Sequence, residues 1–366
     1  MTISNTTSEK IATRPRVLSG MRPTGRLHLG NYMGALYNWV QLQHQYECYF
    51  FVADWHALTT EYADPSKLNE NIDEVLLDFL AAGLDPKLCT LFLQSAVPAH
   101  AELHLLLSMI TPVTWLERVP TYKDQQEQLK EKDLATYGFL GYPLLQSADI
   151  LLYQPEFVPV GQDQAAHVEI TREIARRFNH LYGARQTVAV THAHSDKERL
   201  AAELTQSGVV EILPEPKVLL TPSPKLPGTD GRKMSKSYGN TILLSDPEAE
   251  IRAKLKPMVT DPARIRRTDA GNPEVCPVFD LHKVFSPAEV QAEAAEGCRT
   301  AGIGCIQCKG WLADAVVKEL APIQERRRHF EANPAEVAAI LEDGNARANA
   351  RALQTMTEVR SAMGLR

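Results

Sequence analysis

No apolar run in this 366-residue chain reaches the roughly 18 residues that a membrane-spanning helix needs, and residues 1–14 lack the apolar centre of a secretory signal. The expectation is a cytoplasmic protein with no membrane association and a short disordered tail over 1–14. An excess of positive charge is missing too. The 39 Lys and Arg against 45 Asp and Glu leave a net charge of −6, which argues against an indiscriminate nucleic-acid binder. That sum conceals an asymmetry, because residues 251–366 carry 17 Lys and Arg against 15 Asp and Glu. A polyanion would find this part the more welcoming. What remains is ordinary, 44% hydrophobic and 23% charged, in a length that suits two or three domains.

The regular pattern begins at Val17-Leu18-Ser19-Gly20, followed by Arg22, Pro23, Thr24 and then His28-Leu29-Gly30-Asn31. Helical periodicity resumes at Met33, so the order is strand, glycine-rich turn, helix. Such a turn lies at the carboxyl edge of a parallel sheet, where the helix N-terminus offers free N–H groups to a phosphate. Gly30 would allow close approach, with His28 and Asn31 as donors; the plainer alternative is a simple turn with His28 at the surface. The turn is not GxGxxG, which argues against a dinucleotide. Apolar runs at Tyr49–Ala53, Thr90–Leu93 and Phe157–Val160 read as further buried strands, and Leu68–Ala82 as an amphipathic helix stopped by Gly83. The alternation defines a doubly wound α/β architecture, with ligands expected at strand carboxyl ends.

Three clusters stand out on that frame. In Lys233-Met234-Ser235-Lys236-Ser237, preceded by Gly228 and Gly231, two lysines three apart can converge on a polyanion or form a solvated basic turn. On a helix, Tyr142, Gln146 and Asp149 share one face at i, i+4 and i+7, a polar stripe that would suit a ligand with an ammonium and an N–H donor, or else be exposed or bonded within the protein. Gly161, Asp163 and Gln164 end the next strand. Lys123, in the charged segment after Glu117, could reach a phosphate, although composition alone favours a solvated face. In the helical C-terminal part, Arg326-Arg327-Arg328 reads as a solvated helix end or an RNA contact. Cys276, Cys298, Cys305 and Cys308 fall there with 21, 6 and 2 residues between them. In a reducing cytosol four clustered thiols suggest a metal, and zinc or a 4Fe-4S cluster would both accept them.

The combination of the His28–Asn31 and Lys233–Ser237 motifs with Ala148-Asp149-Ile150-Leu151-Leu152-Tyr153 and Val158-Pro159-Val160-Gly161-Gln162-Asp163-Gln164 resembles the bacterial tryptophanyl-tRNA synthetases of class I, from about Val17 to the C-terminus. The resemblance implies a Rossmann-like doubly wound parallel-sheet catalytic domain over 15–245, with an insertion at about 183–224, and an α-helical anticodon-binding domain over 246–366. It implies ATP with Mg2+, bound by Arg22, Pro23, Thr24, Gly30, Asn31, Gly161, Asp163, Gln164 and the loop of Lys233, Met234, Ser235, Lys236 and Ser237. His28, Asn31, Lys233 and Lys236 would be catalytic. Tryptophan would be held by His56, Tyr142, Gln146, Asp149 and Gln164, with Asp149 accepting the indole N–H. Expected partners are L-tryptophan, tRNA(Trp) and a second copy of the chain. A subset of the family carries a 4Fe-4S cluster on nearly this cysteine pattern, which favours iron–sulfur over zinc. Two departures matter: Arg22 stands where many members carry glutamine, and Gln146 where many carry methionine. Gln146 keeps tyrosine open as the substrate, and a catalytically idle tRNA-binding paralogue is the alternative of another class.

Overall fold

The computed structural model describes residues 14–119, 134–161, 165–193, 210–220 and 224–366, with side chains described in all of these except 184–193. Strands β1 (Arg16–Met21), β2 (Glu47–Val52), β3 (Cys89–Leu93), β4 (Phe157–Val160) and β5 (Lys217–Leu220) form one sheet in the order β3-β2-β1-β4-β5, parallel throughout. Helices α1 (Leu29–Asn31) and α2 (Tyr37–Leu42) follow β1, joined by a π-helical turn at Tyr32–Leu36. After β2 come α3 (Asp54–Glu61) and α4 (Leu68–Ala82). After β3 come α5 (Ala99–Ser108), α6 (Val113–Glu117), α7 (Tyr137–Leu140) and α8 (Tyr142–Tyr153), and after β4 comes α9 (Ala165–Ala193). The C-terminal part is helical: α10 (Glu248–Leu255), α11 (Pro277–Phe285), α12 (Ala288–Arg299), α13 (Cys305–Ala332) and α14 (Pro334–Met363).

The period-2 alternation of the strands divides the core between the two faces of the sheet. Val17, Phe50 and Leu91 face Trp39 and Phe79 on one side, while Leu18, Phe51 and Phe92 face Tyr153 and Phe178 on the other. Trp39 stacks on Phe50 with centroids 4.7 Å apart. Gly83 ends α4 as expected: at φ +113° it lets its own N–H reach Leu80 O and the Leu84 N–H reach Phe79 O, closing the last turn.

Within the stretch 183–224, read as an insertion, lies β5, whose Val218 and Leu219 pair with Val158 and Pro159. A four-residue edge strand followed by a proline-rich run carries too little apolar pattern to be recognised locally. The arginine run is neither a solvated helix end nor an RNA contact at its centre. Arg326 Nε donates to Ala81 O at 2.6 Å, and Arg327, 3% exposed, pairs with Glu74, Asp78 and Glu331. Asp78 also accepts the Leu27 N–H at 2.6 Å. Burial pulls the Arg327 guanidinium down, but Asp78 and Glu74 more than restore it, while burial raises the Asp78 carboxyl against the pull of Arg327.

The last helix crosses back to the sheet. At Gly344 a Cβ would stand 1.7 Å from Leu91 O, so only glycine lets α14 lie on β3. Asn345 Oδ1 accepts the Leu93 N–H at 3.0 Å, Asn349 Nδ2 donates to Ala96 O at 2.9 Å, and Arg347 Nη2 donates to Pro86 O at 2.9 Å. An edge strand that would otherwise invite pairing is thereby covered.

Replacing Arg327 leaves Asp78 and Glu74 without their shared cation. Arg327→Met should cost about 3–5 kcal/mol in urea unfolding, and adding Asp78→Asn should recover part of it; a single mutant within about 0.5 kcal/mol of the parent would remove this cluster as a tie.

Candidate active site

At the carboxyl edge of β1 the chain turns through Arg22, Pro23, Thr24 and Gly25 and enters α1 at His28. His28 caps the helix: its Nδ1 accepts the Asn31 N–H at 3.3 Å, while Asn31 Oδ1 accepts the His28 N–H at 3.1 Å. Gly30 is required, since a Cβ there would lie 2.9 Å from the His28 ring. Burial, and then Lys236 and Lys233, pull the imidazole down to about 4, so His28 is neutral near pH 7.

The second loop is joined to the first by main chain. The Leu29 N–H donates to Ile242 O and the Leu244 N–H to Leu27 O, both at 2.9 Å. Lys236 Nζ reaches across to donate to Thr24 O at 2.6 Å. Inside the loop Asn240 is the organiser: its Oδ1 accepts the Ser235 N–H at 2.8 Å and its Nδ2 donates to Asp230 at 2.7 Å and Lys233 O at 3.2 Å. The Ser235 and Ser237 hydroxyls share a hydrogen bond of 2.9 Å. Met234 turns into the core while Lys233 faces solvent. The two lysines therefore sit on a loop that is held by its own hydrogen bonds beside the first turn.

A cavity of about 410 Å³ opens between β1, α3, α8 and the end of β4. Arg22, His56, Tyr142, Gln146, Asp149 and Gly161 all line it, so the helical stripe inferred from spacing does converge with the histidine after β2. His167 also contributes to the wall. Asp163, Gln164 and Lys123 lie outside the described residues, as does nearly all of the tail. Arg22 Nη2 donates to Thr60 Oγ1, leaving Nε buried with no hydrogen-bond partner among the described residues. Burial lowers this guanidinium from its ordinary value.

Asp149 is 1% exposed and fully engaged. Its Oδ1 accepts from His100 Nδ1 at 2.7 Å and Gln94 Nε2 at 2.8 Å, and its Oδ2 lies 2.9 Å from His56 Nε2 and 3.0 Å from Gln94 Nε2. Burial alone would raise this carboxyl, but the two histidines hold it well below the usual carboxylate range. Gln94 and His100 were missed by sequence reasoning. Their signal was position, since both follow the carboxyl end of β3, where ligand-handling residues of such sheets gather.

The four C-terminal cysteines are neighbours: Cys276 caps α11, Cys298 lies near the end of α12, and Cys305 and Cys308 open α13. Burial and the three other thiols push the Cys308 thiol up to about 12. Arg264 lies beside Cys298 and Lys309 beside Cys305, Cys276 and Cys308. Among the described residues no three His, Cys, Asp or Glu side chains form a metal-holding group, so the thiols are close without a closed ligand set.

A parallel sheet in this order, with two cationic loops joined over its carboxyl edge, defines a nucleotide-handling α/β enzyme. The chain belongs to the tRNA synthetases class I (W and Y), whose sequence profile matches residues 10–321. It is 52% identical over 393 residues to a tryptophan–tRNA ligase of Ralstonia nicotianae, covering 96% of this chain and 98% of that one. It is 51% identical over 352 residues to one from Thermotoga maritima, covering 96% and 99%. The Campylobacter jejuni tryptophanyl-tRNA synthetase, solved with ADP and tryptophan, superposes with a TM-score of 0.80 at 32% identity over 96% of this chain and 100% of that one.

Lys236 is lowered to about 8 by burial, against the pull of Asp78 and Glu74. Its ammonium is charged below that value and lost above it, so kcat/KM for ATP should fall as pH rises through about 8. Lys236→Arg keeps its charge and should carry that limb above about pH 9; an unmoved limb would assign it to another group.

Proposed function

We infer that the chain joins tryptophan to its tRNA, and it is in these terms a tryptophan–tRNA ligase of class I. The observation that carries the reading is a cavity with a buried acceptor, Asp149, beside two cationic loops on one sheet edge. In the first step a tryptophan carboxylate oxygen attacks the α-phosphorus of ATP. The new P–O bond forms as the α–β bridging bond breaks, pyrophosphate leaves with the electron pair, and tryptophanyl-adenylate remains. No proton must move, so positioning and charge stabilisation dominate.

In this proposal Lys233 and Lys236 neutralise the departing pyrophosphate, neutral His28 donates to an α-phosphate oxygen, and Asn31, Gly30, Pro23 and Thr24 shape the cradle. Gly161, Asp163 and Gln164 take the ribose side, with Arg22 offering its Nε–H, unpartnered among the described residues, to an anion between the substrates. Mg2+ would add charge neutralisation on the triphosphate, held by phosphate oxygens, because Asp230 in the second loop is already taken by Arg232 and Asn240. Tyr142 and Gln164 face the substrate ammonium, and Asp149 accepts the indole N–H. The 2′-hydroxyl of the terminal tRNA adenosine then attacks the carbonyl carbon, the carbonyl–phosphate bond breaks, and AMP leaves with the hydroxyl proton passing to its phosphate. The helical region from residue 246 reads the anticodon, in the cytoplasm.

Two further parts belong to this proposal. The four cysteines hold a metal, a 4Fe-4S cluster in preference to zinc. Their support is the soft donor set, the mutual closeness of the thiols and the adjacent Arg264 and Lys309, whose charges would offset bound thiolates. A second copy docks on the exposed Leu105, Met109, Val113 and Tyr137.

Pyrophosphate exchange tests the function. It should depend on tryptophan and not on tyrosine, and Asp149→Ala should raise KM for tryptophan about 10²-fold with little change for ATP; exchange driven by tyrosine would overturn the substrate. Iron and sulfide analysis of anaerobically purified protein, with its mass in sedimentation, tests the rest: zinc without iron removes the cluster, and a 40.7 kDa species removes the dimer.

A further inference from the structure

Behind Asp149 lies a layer that the activation chemistry does not touch. His100, 0% exposed, sits between the Asp149 carboxylate and the Tyr153 hydroxyl, with Nδ1 2.7 Å from Asp149 Oδ1 and Nε2 3.0 Å from Tyr153 Oη. Phe51, Phe92 and Tyr153 wall the ring, at centroid distances of 6.0, 6.1 and 5.5 Å. An ionised carboxylate only accepts, so His100 Nδ1 carries a hydrogen; in the neutral ring Nε2 then accepts from the Tyr153 O–H. Each group fixes the protonation and orientation of the next.

The four contacts of Asp149 divide into two kinds. His100 and Gln94 are wholly buried, and neither is among the residues of the cavity wall. His56 does line the cavity, its side chain 11% exposed, and it meets Oδ2. Each oxygen already meets two donors, Gln94 Nε2 reaching both, so the carboxylate takes a further donor by releasing one, and His56 is the partner with room to move. Oδ1 stays held from behind.

We propose that the Tyr153–His100 pair is a positioning device for amino-acid selection: it pins Asp149 from behind so that Oδ2 is presented, ionised, to an N–H donor that displaces His56. The proposal rests on the reading of Asp149 as the indole acceptor. Without His100 the carboxylate is free to rotate or to take up a proton, and it then loses its preference for a donor over an isostere without one.

The test compares L-tryptophan with L-3-benzothienylalanine, in which sulfur replaces the indole N–H, in pyrophosphate exchange by the full-length enzyme. Wild type should favour tryptophan by about 10²-fold or more in kcat/KM. His100→Phe should lower kcat/KM for tryptophan about 30- to 100-fold, chiefly through KM, and leave benzothienylalanine within about threefold, with KM for ATP unchanged. Tyr153→Phe, which removes one oxygen, should lower tryptophan use about three- to tenfold in the same selective way, and it carries the test if His100→Phe does not fold. Equal losses for both amino acids in either variant would make the pair merely structural, and unchanged discrimination would overturn the proposal. A wild-type enzyme that does not distinguish the two substrates would instead overturn the reading of Asp149, and the proposal with it.

Discussion

Asp78 is the constraint on which the rest of the molecule leans. One buried carboxylate on α4 takes the Leu27 N–H, immediately before the helix-capping His28, and the guanidinium of Arg327 on α13. Glu74, one turn earlier, shares that guanidinium and also meets Arg26. The turn into α1, a sheet-covering helix and the C-terminal helical region are thereby held by a single charge cluster. Breaking such a cluster costs more than an exposed pair, because what is left is a buried charge without a partner. The same carboxylates act on Lys236 across the site, so the cluster that fixes the fold also favours the charged form of the loop lysine.

The site has two electrostatic faces. On the side proposed for the nucleotide, the groups are cationic or neutral donors: Lys233, Lys236 and a histidine kept uncharged by burial. On the side proposed for the amino acid, the deepest group is an anion kept ionised by two histidines and an amide. Arg22 stands between them with a buried, unpartnered N–H among the described residues. A carboxylate attacking a triphosphate brings two anions together, and a fixed cation at their boundary lowers that cost without moving any proton.

Residues that act through their neighbours in sequence were legible; those that act through neighbours in space were not. The His28–Asn31 turn was readable because its cap closes within four residues, and the Tyr142, Gln146 and Asp149 stripe because helical spacing alone puts it on one face. Gly83 announced the end of α4 for the same local reason. The partners of Asp149 at Gln94 and His100 come from another crossover, 55 and 49 residues away, and no local pattern links them. Arg327 resembled a solvated basic run until α4 was packed against it, 249 residues distant. The four-residue β5 was hidden because an edge strand needs its neighbour to declare it.

By itself, then, the sequence determined the alternation of strands and helices, the two glycine-bearing loops at the sheet edge and the polar stripe that faces the cavity, because each follows from periodicity or from capping within a few residues. Only the tertiary structure decided how those pieces are charged and braced. It joined the two loops by main-chain hydrogen bonds, turned Arg327 inward, laid Gly344 on Leu91 and closed Asp149 inside a ring of donors. Burial and long-range contact set the protonation of a carboxylate or an imidazole, and neither exists until the chain has folded.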